Sequence, residues 1–582
     1  MEIKTEDRNK NRINILFIFV ILIGFGLRFV NLGQSALGET ELHWSLQALD
    51  VSRNTTTLIT GNPFYIFITG FLFNIFGSSE FFARIMPALL GTVLISIPFF
   101  LRKPLGQRAA LLISFGLAID PGLVALSRQA GSDMSAFAFL ALAFVFLYLQ
   151  VNIWAGVMFA LALLSGSSTI YGLIGMGLAF LLTSKTSKSE DIGFDLGKVR
   201  KLNLPILITL LIAGTWFSKY PSGLAAFGNS FQYIAEKFSR SSDLSLGIML
   251  FSLVAFQPLV LSFGLIGVFS KQIMGNFAHY LKWWLLVALV FVLLLPGREA
   301  ADLVWMIIPM YTLAGLTLQR FVFRKSGFGN WVEIVLMIII LVFGMFGYFN
   351  LVNVLGHPVP LGANELIDSL LQFRISDWGM YDAAVHSYIV RWMILPSIPA
   401  IIAMTAFIFS TFWSKAQSVK GLGIGVFILL SAFSLSLAYR ISVTSPKVAD
   451  IWYGNQYTSV RSNLKEWIEW FGVINKGDKH ELDIVVDVDF DQVAWQVRDF
   501  TNVKFGSGTS EKLLPEIAIT EVGDLALHEF GVYSMQTITI SEEVNFDKNG
   551  YGNSLRWFFW DEDQSDITKI NLWVRQDLFP SE

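Results

Sequence analysis

Apolar runs separated by short polar stretches dominate the first three quarters of the chain. INILFIFVILIGFGL (13–27) and MIIILVFGMFGYF (337–349) are representative. Runs of this kind approach the roughly 20 residues needed to cross a bilayer. About thirteen of them centre near residues 22, 91, 116, 141, 158, 178, 210, 257, 288, 311, 340, 400 and 430. The two beside VNIW (151–154) read as two short spans or one re-entrant hairpin. Past residue 440 the pattern changes. YTSVRSNLKEWIEWFG (457–472) has helical spacing, with Trp467 and Trp470 in it. ELDIVVDVDF (481–490), LLPEIAITEV (513–522) and KINLWVRQDLF (569–579) read as strands bounded by turn residues. The expected fold is a polytopic α-helical membrane protein of about 13 transmembrane helices with a C-terminal soluble α/β domain. Residues 1–440 form the membrane domain, with interfacial helices in an outer loop at 33–80, and residues 441–582 form the soluble domain.

Composition supports this division. Of 582 residues, 54% are hydrophobic and 15% charged, and 52 are Phe. A soluble chain carries about 25% charged residues. Residues 441–582 hold 12 Lys+Arg against 24 Asp+Glu, a net −12, whereas residues 1–440 hold 30 against 21, a net +9. An acidic tail is no nucleic-acid binder, because phosphate binding needs a basic face. Basic residues cluster in RKPLGQR (102–108), KTSKSEDIGFDLGKVRK (185–201), KQIMGNFAHYLK (271–282), RFVFRK (320–325) and KAQSVK (415–420). The positive-inside rule makes these segments cytoplasmic. With thirteen crossings the N-terminus is then cytoplasmic and the tail extracytoplasmic. MEIKTEDRNKNRIN precedes the first run without a cleavage signature, so that run reads as a retained span. The absence of cysteine excludes disulfides, thiolate metal sites and cysteine nucleophiles.

Several charged residues stand out because they sit at the ends of apolar runs. Glu39 and Glu41 begin ETELHWSLQALD, whose Leu42, Leu46 and Leu49 have helical spacing. The pair is explained equally by a helix N-terminus, which favours carboxylates, and by a general base or metal ligand facing a surface cavity. Arg84, Arg128 and Arg298 lie at other run ends on the same expected face, and a guanidinium fork suits a phosphate. Asp302 beside Arg298 also admits a plain ion pair within the loop. Residues 219–243 carry aromatics with Lys237 and Arg240, and read as an interfacial helix or a cover over a lipid-linked substrate. No GxxxxGK[ST], HExxH or strand-led GxGxxG motif occurs. The substrate itself must therefore carry the energy of any reaction.

FG-x-x-E-x-x-A-R-x-x-P-A-L-x-G (76–91), Asn62-Pro63 before it, SRQAGSD (127–133) and LPGREAADLVWMIIP (295–309) together resemble the GT-C glycosyltransferases. That group includes the protein O-mannosyltransferases and the bacterial lipid A aminoarabinose transferases. The resemblance implies a plasma-membrane enzyme moving a sugar from a polyprenyl-phosphate-linked donor to a hydroxyl of a protein, lipid or glycan acceptor, with inversion. It implies Glu39 and Glu41 as catalytic carboxylates, Glu39 standing at the family's first acidic position. Here Glu-Thr-Glu replaces the usual Asp-Glu. Arg84, Arg128 and Arg298 are implied as phosphate ligands, with Asn62, Asp133 and Asp302 supporting. Glu39, Glu41 and Asp133 are the candidate ligands for a divalent metal, which some relatives do without. DQVAWQVRDF (491–500) and LWVRQDLF (572–579) resemble extracytoplasmic domains of some prokaryotic relatives. That marks Trp495, Arg498 and Asp499, for which a local Arg–Asp pair is the expected role. A transporter or flippase for lipid-linked saccharides would share a cavity and arginines, but calls for ionisable groups deep within spans and for symmetric halves. An assembly protein would leave the Glu/Arg set unexplained.

Overall fold

A computed structural model describes all residues except 1, 56–57, 187–195, 242–244, 272, 274, 324–330, 357–359, 373–378, 380, 445–451, 453–457, 460–463, 507–513, 524–531, 545–554, 556, 561–564 and 580–582. Parts of the basic segments 185–201, 271–282 and 320–325, and of the stretches 457–472 and 513–522, therefore lie outside the described residues.

Twelve of the thirteen expected centres fall within helices, and the one near 257 falls at the junction of two. Helix length divides them. Seven described helices are long and apolar enough to cross a membrane, and nine if each of two bent pairs forms one span. Their outward faces leave Ile15, Ile18, Phe19 and Leu22 uncovered, which lipid tolerates and water does not. The chain is a multi-pass membrane protein. Met134–Tyr148 and Asn152–Leu163, on either side of VNIW, are too short to cross singly: 12 residues rise about 18 Å.

The bends have a chemical cause. Gln107–Ile119 and Pro121–Ser127 meet at 61°. Pro121 has no N–H, so the Leu117 carbonyl loses its helical donor. Arg28, fully buried at the end of the first helix, supplies one: it donates to the carbonyls of Leu117, Ala118 and Gly24 (each 3.1 Å) and to Ser127 Oγ (3.1 Å). Asp120 caps the second piece through the Leu123 N–H (2.8 Å). The other bend, 93° between Leu246–Phe256 and Pro258–Phe269, falls at Gln257. Gln257 Nε2 donates to Asp120 Oδ1 (2.9 Å), and Tyr311 OH donates to Asp120 Oδ2 (2.7 Å). Both breaks are thus pinned to one buried carboxylate.

The tail folds as a six-stranded mixed sheet of β1 (Thr458–Ser459), β2 (Asp483–Asp487), β3 (Asn502–Phe505), β4 (Ile517–Glu521), β5 (Tyr533–Val544) and β6 (Ser565–Arg575), in the order β1-β5-β6-β4-β2-β3. β2 runs parallel to β3 and β4, and the other pairings are antiparallel. The three expected strands correspond to β2, β4 and β6; β1, β3 and β5 are additional. Helix Leu464–Lys476 packs Leu464, Ile468 and Phe471 onto the sheet and turns Trp467 and Trp470 outward. The expected Arg498–Asp499 pair is corrected. Asp499 pairs with Lys465 (2.5 Å), while Arg498 reaches out of the tail to Ser78, with Nε 3.2 Å from Oγ. Neighbouring positions diverge because Arg498 extends toward the membrane domain whereas Asp499 faces helix Leu464–Lys476.

Candidate active site

Helix Glu39–Arg53 begins at Gly38 and separates the two glutamates. Glu41 turns inward and is 2% exposed. Its Oε1 accepts from Arg84 Nε (2.7 Å) and the Ala130 N–H (2.7 Å); its Oε2 accepts from Arg84 Nη2 (2.6 Å) and the Gly38 N–H (2.9 Å). The Gly38 contact is one half of a capping box, since glycine has no side chain to complete the other half, and a buried ion pair extends it. Glu39, two residues earlier, points outward and lines a cavity of about 670 Å³.

Five helix beginnings surround that cavity. It is lined by Glu39 and Thr40, by Asn62 at the start of Pro63–Phe76, by Asp133 at the start of Met134–Tyr148, by Ser167 at the start of Ser167–Thr186, and by Ala300 at the start of the 3-10 turn Ala300–Leu303. Helix N-termini present N–H groups and partial positive charge, which suits an anion. Lys237, Arg240 and Arg298 add full positive charges to the wall, which also carries the carboxylates of Glu39, Asp133, Glu236 and Glu299. Asn62 ties two of the beginnings together. Its Oδ1 accepts from the Tyr65 N–H (3.3 Å), and its Nδ2 donates to the Gly131 carbonyl (3.1 Å). Gly131, at φ +69°, has no room for a Cβ because Trp44 packs directly on it.

Lys237 is held by Asp302, whose two oxygens lie 3.0 Å from Nζ, and by Glu299 at 3.4 Å. Burial works against its charge, but Asp302, Glu299 and Asp133 outweigh it and hold the ammonium above its usual range. Asp302 is not in the cavity wall and acts through Lys237. Asp133 behaves oppositely. Burial, with repulsion from Glu299, pushes its carboxyl up to about 7. From about pH 4 to pH 7 the folded chain therefore holds a proton that the unfolded chain has lost. Stability from this group is present at the acidic end and declines as pH rises through 7. The slope of thermal midpoint against pH should flatten in Asp133→Asn; an unchanged slope removes Asp133 as its source.

Two expected phosphate ligands are placed elsewhere. Arg84, 4% exposed, gives its remaining donors to the carbonyls of Leu32 (3.3 Å), Ser35 (2.8 Å) and Ala36 (2.8 Å) and to Ser35 Oγ (2.9 Å). Arg128 closes the end of the first helix, donating to the carbonyls of Leu27 (3.3 Å), Arg28 (3.2 Å), Val30 (2.7 Å) and Asn31 (3.3 Å), and to that of Ser442 (3.2 Å). Carbonyls left over where a helix ends need donors, and buried guanidinium groups supply them. Arg298 is the expected arginine that does line the cavity. Lys237 and Arg240 join it; the only sequence signal for them was their place in the aromatic loop. Helix Ser222–Glu236 of that loop forms one cavity wall through Ala226, Asn229 and Tyr233, with Phe231 exposed on its other side.

The expected metal set does not assemble. Both Glu41 oxygens are engaged by Arg84 and backbone N–H groups, leaving Glu39 and Asp133. Among the described residues no three His, Cys, Asp or Glu side chains are placed to hold one metal ion. The residues present do not fit a metal centre of that composition.

Residues 60–212 match the family model described as dolichyl-phosphate-mannose-protein mannosyltransferase. The structure is similar to that of ArnT from Cupriavidus metallidurans bound to undecaprenyl phosphate, with TM-score 0.53 and 15% identity over 98% of this chain and 99% of that one. A weaker likeness, TM-score 0.37 at 14% identity, relates 85% of this chain to 64% of the Archaeoglobus fulgidus oligosaccharyltransferase tethered with an acceptor peptide. Among curated proteins none matches by sequence. The chain shares the fold of ArnT, and residues 60–212 match the mannosyltransferase family model.

Proposed function

We propose that this protein transfers a sugar from a polyprenyl-phosphate-linked donor to an acceptor hydroxyl at the outer face of the plasma membrane, with residues 1–440 forming the membrane domain and 441–582 an extracytoplasmic domain. The observation that carries this reading is the cavity, which Lys237, Arg240, Arg298 and five helix beginnings line together with Glu39 and Asp133. The cationic side suits a lipid phosphate. Glu39, exposed on the cavity wall, takes the proton of the acceptor hydroxyl. The hydroxyl oxygen attacks the anomeric carbon, the bond from that carbon to the phosphate oxygen breaks, and the lipid phosphate leaves with the bonding electrons. Positive groups fixed at the departing phosphate stabilise the charge that develops there. One displacement inverts the anomeric centre. Protein, lipid and glycan hydroxyls are all acceptors of the required chemistry.

The test is purified protein with a panel of polyprenyl-phosphate sugars and candidate acceptors, assayed for release of lipid phosphate. No release from any donor would end this reading. Arg298→Ala should weaken lipid-phosphate binding on the order of 10-fold, the scale of one hydrogen bond to a charged group, with the thermal midpoint unchanged. Undiminished affinity would remove Arg298 from the phosphate site.

A further inference from the structure

The tail touches the membrane domain through side chains that no step of the proposed reaction uses. Trp495 is 2% exposed, yet it packs with the outer-loop core beside Phe73 (ring centroids 6.0 Å apart). Its Nε1 donates to Glu80 Oε1 (2.9 Å). The Arg498 guanidinium stacks over the Trp495 ring at 4.0 Å and donates to Ser78 Oγ (3.2 Å) and the Ser78 carbonyl (3.3 Å). In return, Arg53 Nη2 donates to the Arg498 carbonyl (2.6 Å).

These contacts lie at both ends of the element that carries Glu39. Arg53 is the last residue of helix Glu39–Arg53. Glu80 is the first residue of helix Glu80–Phe100, one turn before Arg84 and on the same face. Arg84 in turn grips Glu41, two residues from Glu39. A tail residue thus holds the far end of the helix directly and the near end through Glu80, Arg84 and Glu41.

We propose that Trp495 and Arg498 are positioning residues, a latch by which the tail domain keeps Glu39 aligned over the cavity. The inference rests on the proposed glycosyl transfer. It assigns Trp495 and Arg498 a part in turnover and none in donor binding, because neither lines the cavity and Lys237, Arg240 and Arg298 stand on other elements. Misplacing a reacting group by about 1 Å can cost on the order of 100-fold in rate.

The experiment uses the full chain reconstituted in bilayers. Arg498→Ala should lower kcat on the order of 10-fold, with KM for donor and affinity for lipid phosphate held within about twofold. Arg498→Lys should recover only part of the loss, since lysine lacks the planar fork. Lys465→Ala breaks an ion pair inside the tail and should leave kcat unchanged. The chain has no cysteine, so Ser78→Cys gives a single thiol whose maleimide labelling should accelerate when Arg498→Ala is added. Active parent protein with unchanged kcat in Arg498→Ala, or a raised KM with kcat intact, overturns the latch. An equal kcat loss in Lys465→Ala also overturns it, as general tail destabilisation. A parent protein inactive on every donor instead defeats the proposed function.

Discussion

Arg84→Ala should be among the most destabilising single substitutions in this chain. It removes one partner of a buried ion pair and leaves the Glu41 carboxylate, 2% exposed, with only the N–H groups of Gly38 and Ala130. Breaking a buried pair in this way costs about 3–5 kcal/mol, most of it from the charge left uncompensated. Three carbonyls between Leu32 and Ala36 also lose their donor. The loss should appear as a lower thermal midpoint of the purified protein. Adding Glu41→Gln should recover part of it, because the remaining group is then neutral; the double-mutant cycle measures that coupling. The outcome that would contradict this account is an Arg84→Ala protein as stable as its parent but unable to bind lipid phosphate. That result would return Arg84 to the donor site.

Glu39→Gln should do the reverse. Glu39 lines the cavity and is exposed, so the substitution leaves no buried charge and stability should hold. Its amide cannot accept the acceptor's proton. Positioned proton transfer contributes typically 10²–10⁴-fold, and the loss should fall in kcat with lipid-phosphate affinity intact. A Glu39→Gln enzyme with parental turnover would remove Glu39 as the base. Glu41→Gln offers the contrast: its primary effect should be on stability, through Arg84. The two glutamates, two residues apart in the chain, are thus distinguished by which property each substitution damages.

Residues 28–50 show how far the chain alone could be read. The helical spacing of Leu42, Leu46 and Leu49 is borne out by helix Glu39–Arg53, and the end of the first apolar run by the helix ending at Phe29. Local sequence left the acids open between cap and catalytic group; the structure buries Glu41 against Arg84 and leaves Glu39 on the cavity wall. The arginines show the limit more sharply. Arg84, Arg128 and Arg298 share one signature, a lone cation at the end of an apolar run. Two of them donate to carbonyls from distant segments, and only the third reaches the cavity wall. Lys237 was visible as a residue of an aromatic loop, but its ion pair with Asp302 joins positions 65 residues apart. In the tail, β5 alternates polar and apolar residues through TITIS (537–541), and its pairing with β6 places it in the sheet.

The sequence by itself determined that this is a multi-pass membrane protein with a C-terminal α/β sheet domain, and that charge gathers at the ends of its spans. Those properties are local: apolar run length, periodicity and composition can be read from short windows. Tertiary structure decided which charges are structural and which line the cavity. A guanidinium beside a broken helix end and a guanidinium beside an open cavity look alike along the chain. They differ only in what packs against them, and those partners lie from about forty to several hundred residues away. Burial then sets the consequence: desolvation makes the Glu41–Arg84 pair costly to break, while access to the cavity leaves Glu39 and Arg298 able to meet a substrate.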